Sequence, residues 1–239
     1  MIMLNSLVSI ERLKGEEIPF LYNYYLAISV YSKLDIYQQN IKKLHNKNQV
    51  GIHTISNIIS RKTRLLENGL DIPEGFFIIR SIDDDFENYV RLGLSLDPHL
   101  KIQNAIYKVK SVRPIEDKLD GKTEFNFKSL SPVLVRNFDD RKKFVMEESQ
   151  IEENLNLVTK WLLLNEFNFS IEDVDNFNIE IKESKSRTVK VSSIDDPSSK
   201  LKAFELKGNI SGDANIIKFI YHRGLGSKTG LGLGCWEVL

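Results

Sequence analysis

The sequence offers little from which to build covalent or membrane structure. One cysteine, Cys235, stands among 239 residues. An intramolecular disulfide and a thiolate zinc cluster are therefore excluded, and a reducing compartment is expected. The thiol reads as a buried small hydrophobe. No run of about eighteen apolar residues occurs, which leaves no transmembrane helix. Net charge is also missing, because 33 Lys and Arg balance 33 Asp and Glu. The opening MIMLNSLVSIERL is apolar but has neither a basic leading region nor a small-residue cleavage site. It reads as a first strand, not a signal peptide, and a cytoplasmic location is expected. The chain also lacks a GxxxxGK[ST] phosphate loop and a GxSxG nucleophile elbow.

A neutral chain can still carry one-signed patches. Between Ile41 and Arg64 lie Lys42, Lys43, Lys47, Arg61, Lys62 and Arg64, with no anion. Between Lys182 and Lys207 lie Lys182, Lys185, Arg187, Lys190, Lys200, Lys202 and Lys207, set against Glu183, Asp195, Asp196 and Glu205. Either stretch suits phosphate attraction, and either would also serve as a solvated face. The acids Asp83-Asp84-Asp85 suit a helix N-terminus better than a metal site, since no second ligand cluster is spaced around them.

The densest local signal is the end of the sequence, YHRGLGSKTGLGLGCWEVL. Gly224, Gly226, Gly230, Gly232 and Gly234 space out as Gly-Leu-Gly, five residues, Gly-Leu-Gly. Such a loop can turn its N–H groups inward as an anion-binding nest, with Lys228 at its centre and Arg223 beside it. It can equally be a tight strand-turn-strand in which backbones approach closely.

The length suits one large domain or two small ones. Ile2–Ile10 reads as a strand, and Glu16-Glu17-Ile18-Pro19 as the start of a long helix ending near His45. Thr54–Ile59 and 75–80 read as strands, 83–94 as a helix and 101–112 as a strand. The first half is thus β-α-β-β-α-β, a ferredoxin-like unit. After a link at 114–121, strands are expected at 125–127 and 133–137, paired with each other, then a helix over 148–165. Further strands follow at 177–181, 188–191 and 201–210, with a short helix from Asp213 through Phe219. The expected fold is α+β, with two tandem ferredoxin-like (βαββαβ) domains, 1–113 and 122–239. The second carries the glycine-rich loop 224–234.

The glycine pattern and its short closing strand resemble the C-terminal loop of CRISPR-associated repeat-processing endoribonucleases, in the repeat-associated RNA-binding superfamily. Phe127-Lys128-Ser129-Leu130-Ser131-Pro132-Val133 is similar to that family's mid-chain strand and Leu-Ser-Pro-Val segment. Tyr22-Asn23-Tyr24-Tyr25-Leu26, Val30-Tyr31, Leu44-His45 and Thr54-Ile55-Ser56 resemble its first helix and the loop after it. The resemblance implies metal-independent cleavage of CRISPR repeat RNA without a cofactor. In that chemistry a ribose 2′-hydroxyl attacks the adjacent phosphate, leaving a 2′,3′-cyclic phosphate and a 5′-hydroxyl. It implies repeat RNA as partner, further effector-complex subunits, no membrane, and a monomer or homodimer. The alternative is a non-catalytic guide-RNA-binding subunit of an effector complex.

This chemistry needs a base, an acid and positive charge around the phosphorane, and histidine suits the first two roles. His45 matches the family's catalytic histidine; without the resemblance it is a histidine closing a helix. His53 is a candidate partner or a strand-edge residue. Tyr31 matches a helix tyrosine that assists catalysis in some members, or belongs to the apolar stripe. Those members carry a lysine six residues after the histidine, where this sequence has Gly51. Lys47 is the nearest substitute and His53 the other. His222 reads as a packed strand histidine and His99 as an exposed turn residue. For RNA binding the candidates are Lys42, Lys43, Arg61, Lys62, Arg64, Arg187, Lys190, Arg223, Gly224, Gly226, Lys228, Gly232 and Gly234.

Overall fold

A computed structural model describes residues 5–34, 51–192 and 199–239. The first half contains β1 (Asn5–Lys14), β2 (Ile18–Pro19), α1 (Asn23–Tyr31), β3 (His53–Ile55), β4 (Arg64–Leu65), β5 (Gly69–Asp71) and β6 (Glu74–Ser81). It continues with α2 (Asp84–Leu96), β7 (His99–Ile102) and β8 (Ala105–Ile115). The second half contains β9 (Glu124–Ser129), α3 (Ile151–Asn165), α4 (Ile171–Asp175), β10 (Asn178–Lys190), β11 (Lys200–Ser211), α5 (Ala214–Arg223) and β12 (Trp236–Val238).

Strand order carries the architecture. The first sheet runs β3-β6-β1-β8-β7 and the second β10-β11-β9-β12. In each, the half's opening strand lies between its third and fourth principal strands, and the second pairs with the third. That is the ferredoxin-like arrangement, repeated in tandem. In the first half β7 is an added edge strand, paired with β8. Each half has its own apolar cluster. One is built on Val8, Leu26, Phe77, Phe86 and Val90, the other on Phe127, Leu155, Phe204, Ile217 and Trp236.

Local chemistry explains where the helices begin. The Asp83 side chain accepts from the N–H groups of Asp85 and Phe86 at 2.9 and 3.3 Å. Asp213 accepts from Asn215 and Ile216 at 2.8 and 3.3 Å. Both satisfy N–H groups that a helix start leaves unpaired. The acid run at 83–85 is therefore a cap and a first turn.

Several expected boundaries differ. Helix α1 begins at Asn23, not at the Glu16–Pro19 stretch. Ile18–Pro19 instead pairs with Gly69–Leu70 in a small sheet of order β2-β5-β4. The expected end of that helix near His45 lies outside the described residues, as do Ile2, Met3 and Leu4. Residues 133–137 do not pair with β9. Val133 bridges to Phe204, Leu134 to Ser227 and Arg136 to Phe144. The strands expected at 177–181 and 188–191 are one strand, β10, with a register shift between Ile181 and Glu183. Helix α5 runs on to Arg223, so Tyr221, His222 and Arg223 are helical.

Candidate functional site: the glycine loop and the seam between the halves

Helix α5 stops where Gly224 takes a φ of 91°, a conformation open to glycine without strain. Much of the loop that follows is hydrogen-bonded within the second half. Leu225 N–H donates to the Gly234 carbonyl at 2.8 Å, Ser227 to Leu134 at 2.8 Å and Gly234 to Pro132 at 2.9 Å. Leu231 donates to Lys228 and Leu233 to Thr229, at 2.9 and 3.3 Å. Cys235 N–H donates to the Ser131 hydroxyl at 3.0 Å. The loop takes the crowded form in which backbones approach closely: a Cβ at Gly234 would fall 2.0 Å from the Leu225 carbonyl oxygen.

What the loop turns outward is carbonyl oxygen, and the first half supplies the donors. Asn23 Nδ2 donates to the Gly232 carbonyl at 2.9 Å. Thr54 Oγ1 donates to Leu233 at 2.8 Å. Tyr31 OH donates to Gly230 at 2.8 Å. The Leu-Ser-Pro segment joins the same seam, with Asn57 N–H donating to Leu130 at 3.0 Å and Ser131 Oγ donating to Ile55 at 3.2 Å. Arg80, buried at the end of β6, donates from Nη1 to the Trp236 carbonyl. Its guanidinium lies 3.7 Å over the Tyr221 ring centre, a contact strengthened where water is excluded. The seam is thus mostly polar and mostly hydrogen-bonded, as burial requires.

Tyr31 of α1 and His53 of β3 meet at this seam. Tyr31 OH lies 2.6 Å from His53 Nε2. The imidazole stacks on Phe86, with ring centres 4.0 Å apart and planes 19° apart. His53 is buried, and burial lowers its pKa to about 3, because a cation loses more than a neutral ring when water is removed. Burial raises the Tyr31 phenol well above its ordinary value. Both groups are therefore neutral at neutral pH. Residue 51 has a steric reason to be glycine, since a Cβ there would come 2.5 Å from Thr229 Oγ1.

The other expected site residues separate into groups. His45, Lys42, Lys43 and Lys47 lie outside the described residues. Arg61, Lys62 and Arg64 are exposed beside or on β4, with Lys62 2.9 Å from Glu74. Arg187 is held by Glu205 through two 2.8 Å hydrogen bonds, which occupy its charge within the β10–β11 hairpin. Lys190 is buried, its ammonium 5.4 Å from the Tyr25 ring centre. Arg223 is buried as well and donates from Nη1 to the Gly224 and Gly226 carbonyls at 3.0 and 3.2 Å. It braces the loop from inside, and Gly224, Gly226, Gly232 and Gly234 are buried with it. Lys228 is exposed. Partial burial, and then the Arg136 guanidinium, lower its pKa.

His222 is fully buried on a helix, not a strand. Burial and then Arg80 push its pKa down to about 4, against the opposing pull of Asp117. His99 is exposed at the start of β7, 3.1 Å from Asp97. Asn23, Thr54, Arg80 and Arg136 were not expected at the site. Arg80 carried a sequence signal, a lone cation ending the apolar run Phe77-Ile78-Ile79. Asn23 and Thr54 lay within segments resembling the family, but nothing in the sequence set them apart as site residues. Among the described residues no group of His, Cys, Asp and Glu could hold a metal ion. No described helix is long and apolar enough to cross a membrane.

Two ferredoxin-like sheets in tandem define a class of protein, and known proteins with this fold resemble the chain along its whole length. The family model for the N-terminal part of CRISPR-associated protein Cas6 matches residues 17–113. The model for the C-terminal part of Cas6 matches residues 114–238. The chain belongs to the Cas6 family. It is 28% identical to the Methanocaldococcus jannaschii protein named CRISPR-associated endoribonuclease Cas6 1, over 91% of this chain and 85% of that one. It is 27% identical to a Pyrococcus horikoshii protein named as CRISPR-associated endoribonuclease-like, over 93% of each. A solved structure described as a RAMP protein binding different RNA substrates superposes with a TM-score of 0.83 at 25% identity, covering 99% of both chains. A Cas6-related protein from Pyrococcus furiosus has the same fold, with a TM-score of 0.83 at 24% identity, covering 99% of this chain and 98% of that one.

Proposed function

We propose that the protein cleaves CRISPR repeat RNA by metal-independent transesterification, leaving a 2′,3′-cyclic phosphate and a 5′-hydroxyl. The observation that carries this reading is the meeting of Tyr31, His53 and the glycine loop at one seam. His45 and Lys47 belong to the stretch between Leu34 and Gly51, whose sequence flanks bear Tyr31 and His53. His45 is the leading acid or base, because an unperturbed imidazole changes charge near working pH. Such proton transfer is worth about 10²–10⁴-fold in rate. Lys47, Tyr31 and His53 are the candidate helpers, and Lys228 and the exposed cations at 61–64 are candidates for holding phosphate. Kinship with a protein named as an endoribonuclease supports the reading.

The second reading is an RNA-holding protein that does not cut. It is favoured by Gly51 in place of a lysine and by the depressed pKa of His53. Cleavage of a cognate repeat RNA in EDTA, wild type beside His45→Ala, separates the two. Cyclic-phosphate product from the wild type alone supports the enzyme and its leading residue. Tight binding without product from the wild type supports the second reading.

A further inference from the structure

Among the partners of the Tyr31 hydroxyl are a carbonyl and an imidazole, and only one arrangement of protons satisfies these two. The Gly230 carbonyl can only accept, so at 2.8 Å the phenolic proton must lie between Tyr31 and Gly230. The Tyr31 oxygen then faces His53 Nε2 at 2.6 Å as an acceptor. His53 Nε2 must therefore carry a hydrogen. The other ring nitrogen, Nδ1, is buried without a hydrogen-bond partner. A bare lone pair there costs less than a buried cationic N–H with nothing to accept it. The Phe86 ring, stacked at 4.0 Å, fixes the plane of the imidazole.

We infer that His53 is a positioning residue, not an acid or base. As a neutral Nε2–H imidazole it donates to Tyr31, and Tyr31 in turn donates to Gly230. The relay runs from β3 through α1 to the glycine loop and fixes where the phenol points. The role in cleavage rests on the enzymatic reading above; the hydrogen-bond direction does not. His53 exchanges no proton during a reaction near neutral pH. Its contribution is to hold Tyr31 and the loop carbonyl in one geometry.

The test has one arm that needs no activity. In long-range proton–nitrogen spectra of the full chain, His53 should show a protonated Nε2 and a bare Nδ1, unchanged between about pH 5 and pH 8. In Tyr31→Phe the Nε2 signal should move, because its acceptor is gone. A protonated Nδ1 with a bare Nε2, or an imidazole titrating across that range, overturns the proposal.

The second arm uses cleavage by His53→Gln, whose amide can place a donor near Nε2, beside His53→Leu, which cannot. His53→Leu should lose about tenfold in kcat with KM little changed, the size of one lost hydrogen bond. His53→Gln should recover most of it, and the shape of the pH–rate profile should stay the same in both. Equal loss in both variants, or a limb missing from the profile, overturns the positioning role. A wild type that does not cleave would sink the enzymatic reading alone, and the spectra would still decide the relay.

Discussion

Gly230→Ala tests the seam at its tightest point. The φ of Gly230 lies outside the left-handed region, so alanine meets no backbone penalty there. The conflict is steric. A Cβ would fall 2.4 Å from the Tyr31 hydroxyl and 3.0 Å from His53 Nε2, so the phenol must leave. Overpacking costs about 1–3 kcal/mol. Leaving a buried polar group unpaired costs about 1–3 kcal/mol, so about 3 kcal/mol in all is expected. For a chain of this length that lowers the melting midpoint by about 6–12 °C. Tyr31→Phe alone removes the hydroxyl and should cost about 1–2 kcal/mol. In the double variant the methyl group occupies space the hydroxyl has vacated. The double variant should then be about 2 kcal/mol more stable than the sum of the singles predicts, far outside the scatter of independent sites. Urea unfolding of the four proteins measures this directly. Additive losses would show that Gly230 does not press on Tyr31, and the account of the seam would fail.

Other outcomes follow from the same geometry. Arg80→Ala should destabilise by about 3 kcal/mol or more, because the Trp236 carbonyl and the face of Tyr221 lose their buried partner. Thermal unfolding measures it, and a loss under about 1 kcal/mol would contradict the assigned contacts. Asp83→Ala should cost about 1 kcal/mol through the lost cap of α2, with Asp83→Asn recovering most of it. Stability should fall as pH drops below 6.5. Folded His53 and His222 stay neutral down to about 3 and 4 while the unfolded chain takes up their protons. Replacing His222 by Gln should flatten the slope by about 1.4 kcal/mol per pH unit between roughly pH 5 and pH 6. An unchanged slope would mean that His222 is charged in the folded state. Lys228→Ala should weaken binding of repeat RNA and reduce the salt slope by about one unit. An unaltered slope would remove Lys228 from the phosphate contacts.

The order of elements was legible in the sequence because apolar periodicity and the capping aspartates are local signals. Asp83 and Asp213 announced their helices without help from distant residues. Glu16–Pro19 misled because two acids before a proline suit a helix start, whereas the strand partner of Ile18–Pro19 lies some fifty residues on, at Gly69–Leu70. The helix from Asp213 was expected to end at Phe219 and His222 to sit on a strand, yet the stripe Ile216, Ile217, Ile220 and Arg223 continues at helical spacing. The glycine loop was visible as a feature, but not the direction of its hydrogen bonds. Glycine spacing is the same whether N–H groups or carbonyls face a partner. The partners, Asn23, Tyr31 and Thr54, are ordinary polar residues about 180 to 210 positions away. Arg223 shows the same limit. A cation beside a phosphate-like loop suggests an anion, and here it satisfies the loop's own carbonyls.

The seam also sets a timetable. Tyr31 and the carbonyl it binds are separated by 199 positions. At a synthesis rate of about 5–20 residues per second, some 10–40 seconds pass between making the donor and making its acceptor. During that interval the first sheet can close around its own apolar cluster, while Asn23, Tyr31, Thr54 and Arg80 wait without the groups that complete them. A nascent chain halted before residue 230 would hold a formed first half with an unfinished edge, open to solvent and to chaperones. Assembly of the molecule therefore waits on a segment made long after Tyr31, and a ribosome stalled between the two leaves the first half unsealed.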